Sequence, residues 1–222
     1  MAFRGFPPSA ITFFEGLEAD NSKAYWTANK ATYEEAVKGP MEDLIASLDA
    51  RFRPMRVFRP YRDVRFSKDK APYKTNIAAA GESEGGATHY ISLSTRGLVA
   101  GTGYYAMAND QLGRFRDAVD LDETGEDCAA LVAAMARDGY GIGAVEELKS
   151  APRGFAKDHP RIDLNRRKGL MVWKEWAPAK WFGTTKARDR VVDTWVGADP
   201  LNAWLDAHVG PSQLPPDQRP HR

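Results

Sequence analysis

A single cysteine, Cys128, occurs in the 222 residues. One thiol cannot close an internal disulfide, and a zinc or iron–sulfur centre built from cysteines is excluded. Long apolar runs are missing too. The longest, 128–136, has nine residues, about half of what a membrane-spanning helix needs. Arg4 is followed by Gly5-Phe6-Pro7-Pro8 rather than an apolar core, which predicts no secretory leader. No sign of charge dominates: 31 Lys+Arg meet 30 Asp+Glu, a formal charge of +1. That balance excludes a polybasic nucleic-acid coat and an acidic disordered chain. Histidines are few. His89, His159, His208 and His221 include no pair at metal-ligand spacing, so no metal site is expected. Neither a G-x-S-x-G nucleophile elbow nor a P-loop occurs. These absences predict a soluble, cytoplasmic protein with no membrane partner and no cofactor.

What is present is enough apolar volume for a core: 43% hydrophobic residues, 11% aromatic, six of them Trp. Wholesale disorder does not fit such a composition. The balanced total also hides a local excess. Between Arg51 and Lys74 stand nine basic residues and only two acids, Asp63 and Asp69. That segment carries +7 while the remainder of the chain carries −6. Crowded cations repel, so the fold must supply acids from elsewhere or the segment must meet a bound anion.

Apolar periodicity predicts helices at both ends and strands between them. Ser9 reads as the cap of a first helix, with Ile11, Phe14 and Leu17 on one side. Asn21 or Ser22 starts a second, carrying Tyr25, Trp26, Asn29, Tyr33 and Val37 at helical spacing. Gly39-Pro40 reads as a break before a third helix with Met41, Leu44, Ile45 and Leu48. Alternation predicts a strand over 61–66. Residues 89–94 and 98–104 flank Thr95-Arg96-Gly97 as a β-hairpin. Asn109 caps a helix to about Val119, and Thr124 with Asp127 approximates a capping box for 128–138, which Gly139 ends. A short helix over 161–168, a strand over 170–176 and two further helices follow. The fold class expected is α+β: a single domain over 1–210, with a central antiparallel sheet containing a β-hairpin and helices packed around it at both chain ends. Residues 211–222, with four Pro, are expected to form a disordered tail.

The residues best suited to chemistry lie in 59–76. Arg62 and Arg65 offer planar, bidentate donors for phosphate or carboxylate, and Lys68, Lys70 and Lys74 add point charge. Tyr61 and Tyr73 supply faces for stacking a ring. Asp63 and Asp69 orient the basic groups or, if desolvated, serve as catalytic acid and base. The other reading of the same residues is an ion-pair network that pins the segment to acidic helices. Arg153 and His159, in the polar loop 152–160, are secondary ligand candidates. The loop hydrogen bond is the plainer role for His159. Gly101-Thr-Gly103-Tyr-Tyr-Ala106 matches a dinucleotide pattern on paper, but it follows a hairpin strand and no helix opens at once. A glycine-kinked strand is the better reading. Trp173, Trp176 and Trp181 read as a second apolar layer before a nucleic-acid platform.

Phe13-Phe14, Leu17, Asn21-Ser-Lys23, Trp26, Asn29-Lys30, Tyr33 and Pro40-Met41 form a recognisable series. With Arg62-Asp-Val-Arg-Phe-Ser-Lys-Asp-Lys70 and Pro72-Tyr-Lys74, the chain resembles the bacterial and fungal family called domain of unknown function 2461. Tyr90-Ile-Ser-Leu-Ser94, 101–105, Arg116, Pro152-Arg-Gly-Phe155 and Asp158-His-Pro160 extend the resemblance to about Phe182. It implies one domain over most of the chain and carries no activity with it. By position it marks Arg62, Asp63, Arg65, Phe66, Lys68, Asp69, Lys70, Tyr73 and Lys74. Tyr25, where the pattern often has Trp, and Ala71, where Thr or Ser is common, depart from it.

The leading expectation is a binding module for an anionic, phosphate-bearing ligand such as a nucleotide or nucleic-acid end. An enzyme acting on a phosphorylated or carboxylated small molecule, and a structural or protein-interaction domain with its charges paired internally, are the alternatives. Partners would be an anionic small molecule or nucleic acid.

Overall fold

The computed structural model describes residues 2–63, 70–83 and 85–219. The elements run α1 (Pro8–Ala19), α2 (Lys23–Thr32), a π-helical turn (Tyr33–Lys38), α3 (Gly39–Ala46), β1 (Met55–Val57), β2 (Asn76–Glu82), β3 (Thr88–Ser94) and β4 (Gly97–Tyr104). Then come α4 (Asn109–Asp120), α5 (Asp122–Arg137), β5 (Gly141–Gly143), α6 (Ile162–Asn165), β6 (Leu170–Trp176), α7 (Lys186–Gly197) and α8 (Asp199–His208). The fold is α+β, with one six-stranded antiparallel sheet in the order β1-β2-β3-β4-β6-β5. The chain forms two compact units. One comprises Met1–Gly81, Tyr90–Ala100 and Glu175–Asp193, the other Glu82–His89, Gly101–Lys174 and Thr194–Arg222. Among the described residues no helix is long and apolar enough to cross a membrane.

In the first unit, α1 begins with Pro8 in its first turn and Pro7 at the cap position, with no side-chain cap. Proline presets the helical φ there, so the start does not need the Ser9 hydroxyl that the sequence suggested. Phe13, Phe14 and Leu17 are buried, with Ala10 beside them. Ser22 caps α2 by accepting the Tyr25 N–H at 3.1 Å. Helical backbone then continues without interruption from Lys23 to Ala46, so Gly39-Pro40 does not break it. The reason lies in the π-turn. Its wider register lets the Gly39 N–H reach back to the Glu34 carbonyl, and proline, which has no N–H to place, follows in the first turn of α3.

An aromatic cluster closes this unit. Trp26 stacks flat on Tyr73, centroids 4.4 Å apart and planes 7° from parallel, and tilts against Tyr33 at 4.8 Å. Asn21 clamps the Tyr73 backbone from both sides: its amide donates to the Tyr73 carbonyl at 3.1 Å and its oxygen accepts the Tyr73 N–H at 3.0 Å. The hairpin β3–β4 turns through Thr95-Arg96, with Gly97 at φ +121° as the first residue of β4. Only glycine takes that conformation without strain. A Cβ at Gly97 would also run into the Trp176 carbonyl oxygen.

In the second unit, Phe115, Cys128, Leu170, Val172 and Leu205 are fully buried. Phe115 meets Trp204 edge-on at 6.2 Å. Cys128 is core, and burial pushes its thiol up to about 12. Gly101 and Gly103 lie within β4, and no helix opens until Asn109. The dinucleotide geometry is therefore absent, and Gly103, at φ +128°, lies against the Leu170 carbonyl. Asn109 is the first residue of α4 rather than its cap; the Ala108 N–H is satisfied by the Gln111 side-chain oxygen at 3.0 Å. Thr124 sits inside α5 and donates to the Ala118 carbonyl instead of capping. The chain after Gly210 begins with residues tied to α4: the Ser212 hydroxyl and the Gln213 N–H both bond Asp110, at 2.9 and 2.8 Å.

Candidate functional site

β1 ends the sheet. It pairs with β2 through Met55↔Gly81, Arg56↔Ala80 and Val57↔Ala79, and the Phe58 N–H extends the ladder to the Ala78 carbonyl at 2.8 Å. The predicted strand over 61–66 is replaced, in its described part, by a single bridge, Tyr61↔Tyr73. The Arg62 N–H to the Pro72 carbonyl and the Lys74 N–H to the Pro60 carbonyl flank it, at 2.9 and 2.8 Å. From Phe58/Ala78 to Tyr61/Tyr73 one chain advances three residues and the other five. The surplus on the second chain breaks the ladder, which is why the alternation of 61–63 does not become a regular strand. Residues 64–66 of that prediction lie outside the described residues, as do the candidates Arg65, Lys68 and Asp69.

Along β1 and its continuation runs an open groove of about 990 Å³. Met55, Val57, Phe58 and Tyr61 line it from the strand side, Trp26, Tyr33 and Ile45 from the helical side. Among the described residues five cations and two carboxylates also line it: Lys30, Lys38, Arg53, Arg56 and Arg59 against Glu34 and Glu42. The two carboxylates both lie against Lys38, at 2.9 and 3.9 Å. Lys30, Arg53, Arg56 and Arg59 form no ion pair with any described residue. The π-turn supplies Tyr33, Glu34 and Lys38 to the wall. Burial raises the Tyr33 hydroxyl to about 12, with Glu34 and Glu42 adding to the shift, so it stays a neutral donor.

Lys74 registers the local field. Its ammonium lies 5.5 Å from the centre of the Phe58 ring. Burial lowers its proton affinity, and the charges of Arg59 and Arg62 lower it further. The positive charges of Arg59 and Arg62 thus lie close enough to Lys74 to oppose its protonation.

The remaining sequence candidates are placed as follows. Tyr61 is half exposed and tilts against Trp26 at 5.9 Å and Tyr73 at 5.5 Å. Tyr73 is buried in the stack with Trp26. Arg62, Asp63 and Lys70 are exposed. Arg153 and His159 belong to the other unit. There the His159 Nδ1 accepts the Arg161 N–H at 3.0 Å, and its Nε2 faces Asp120 at 3.2 Å. Arg161, itself buried, donates to the Val119 and Asp120 carbonyls and so closes the C-terminus of α4. His159 thus braces a loop. Trp181 lies under Arg190 at 4.6 Å and edge-on to Trp176 at 5.9 Å. The groove residues that the sequence reading passed over are Lys30, Arg53 and Arg56. The signal for Arg53 and Arg56 was their three-residue spacing with Arg59, just ahead of Pro60; Lys30 had none. Among the described residues no group of His, Cys, Asp and Glu could hold a metal ion.

A family model described as a conserved hypothetical protein (DUF2461) matches residues 9–204. No curated protein and no solved structure matches the chain. The chain belongs to the DUF2461 family.

Proposed function

We propose that this DUF2461 protein is a binding module whose groove takes an anionic ligand, with phosphate and carboxylate groups as the chemistry recognised. The observation that carries the reading is the set Lys30, Arg53, Arg56 and Arg59 on one apolar-floored groove, none in an ion pair with a described residue. Guanidinium forks match the geometry of both anions. An internally saturated network would need a partner for every charge in 59–76, and Arg59 has none among the described residues. The acid–base role of Asp63 would need a desolvated carboxylate, and Asp63 is exposed.

The test is thermal stabilisation of the full chain by phosphate, mononucleotides, short single strands, short duplexes and acidic peptides, at low and moderate salt. A ligand at a hundred times its Kd stabilises by about 2.7 kcal/mol. One or more anions should raise Tm, less at higher salt. Arg53→Ala/Arg56→Ala should remove the effect while Arg96→Ala, on the hairpin turn, keeps it. Loss of the effect in both variants alike, or no anion effect at all, would refute the groove as the site.

A further inference from the structure

We infer that the occupant of the groove is an extended acidic peptide segment, which adds a strand to the outer edge of β1. The inference rests on the anion-binding reading of the groove and goes beyond it by naming the ligand class. In an antiparallel ladder, successive residues alternate between bonding the partner strand and facing away from it. The Phe58 N–H bonds Ala78, so Phe58 and Arg56 face β2. Met55 and Val57 therefore direct their N–H and C=O groups to the other side. β1 is the first strand in the sheet order, so among the described residues no strand lies there. Met55 and Val57 also line the groove, so the groove runs along this edge, which no described strand pairs.

The pattern of donors and acceptors selects the ligand. Outward N–H groups alone would suit a phosphate. Outward carbonyl oxygens repel one and require a donor in return. A peptide backbone offers both at strand spacing; a phosphodiester backbone offers only acceptors. Side chains then set the sign. Arg53, Arg56 and Arg59 are exposed along this edge, which favours carboxylate or phosphate-bearing side chains on the incoming strand. Trp26, Tyr33 and Ile45 provide an apolar wall for the side chains that alternate with them.

The same charges reject the commonest wrong partner. Two copies of β1 pairing antiparallel about Arg56 would set one guanidinium opposite the other, a destabilising cross-strand pair. Pro54 and Pro60, which lack N–H groups, bracket the open stretch and limit its length. An edge guarded in this way turns away its own kind and admits a strand of opposite charge.

The experiment is fluorescence anisotropy of the full chain with a labelled peptide alternating Glu and Val. Its Lys/Val counterpart and a version N-methylated at alternate residues run beside it. A single-stranded oligonucleotide and inorganic phosphate compete. The Glu/Val peptide should bind and the Lys/Val peptide should not. N-methylation should weaken binding about tenfold or more, since it removes backbone donors. Arg56→Glu should abolish binding. Val57→Pro removes one outward N–H without touching the β2 ladder, and should also cost about tenfold. The N-methylated peptide repeats that test on unaltered protein. Equal binding of the N-methylated peptide would overturn the strand addition. So would binding of phosphate or oligonucleotide with no binding of peptide, an outcome that leaves the anion groove standing. Elution as a dimer that is lost in Arg56→Glu would put a second copy on the edge and overturn the proposal as well. If no anion of any kind binds, both readings fall together.

Discussion

Trp26 does two jobs at once. The residue is 5% exposed, its ring stacked on Tyr73 and tilted against Tyr33, and it also lines the groove. Trp26→Ala should destabilise the chain by about 3–5 kcal/mol, from lost transfer energy plus an unfilled cavity. Urea unfolding reads this as a lower midpoint with little change in slope. A loss below about 1 kcal/mol would mean that the stack does not hold the segment in place. Lys74 gives a pH signature. Its folded proton affinity lies below the ordinary lysine value of 10.5 because of burial, then Arg59 and Arg62. As pH rises, the folded chain loses this proton before the unfolded chain does. The cost of the crowded ammonium is present below the folded pKa and lifts as pH climbs toward 10.5, so Lys74 makes stability rise with pH there. In Lys74→Met that contribution should vanish, and urea midpoints between neutral pH and about pH 10 would show it. An unchanged pH slope in the variant would exclude Lys74 as its source.

At the level of elements, most helices were legible because their apolar faces recur at helical spacing. The hairpin was legible because Thr95-Arg96-Gly97 separates two β-rich runs. Its glycine carries a prediction. Gly97→Val would force a β-branched side chain to φ +121° and against the Trp176 carbonyl. The expected loss exceeds about 2 kcal/mol in chemical denaturation, and a neutral outcome would mean that the turn can rearrange. Two elements misled the sequence reading, each for a local reason. Gly39-Pro40 reads as a helix stop, yet the π-turn before it leaves no N–H requirement at Pro40, so the helix runs on. Residues 61–63 alternate like a strand, yet the surplus residues just before them, opposite 59–60, break the ladder, and in their described part the pairing is one bridge. β1 was hidden because three residues are too few to show a period, and their hydrophobic signal is interrupted by Arg56.

For the molecule as a whole, the charge arithmetic was the most informative line in the sequence. It located a +7 segment in a chain of net +1, and the groove lies against the first half of that segment. Spacing alone could not show which of those cations share a surface. That depends on Lys30 from α2 and on the π-turn meeting the edge strand, contacts between residues far apart in sequence. His159 and Arg153 sit in the other unit for the same reason: membership of a family pattern does not place residues together. The most direct measurement of the central claim is an NMR titration that follows the Arg Nε–H resonances as an anionic ligand is added. The expected result is saturable, salt-sensitive movement of the Arg53, Arg56 and Arg59 signals, with Arg96 and Arg153 still. Movement confined to other arginines, or none at concentrations that stabilise the protein, would contradict the groove as the binding site.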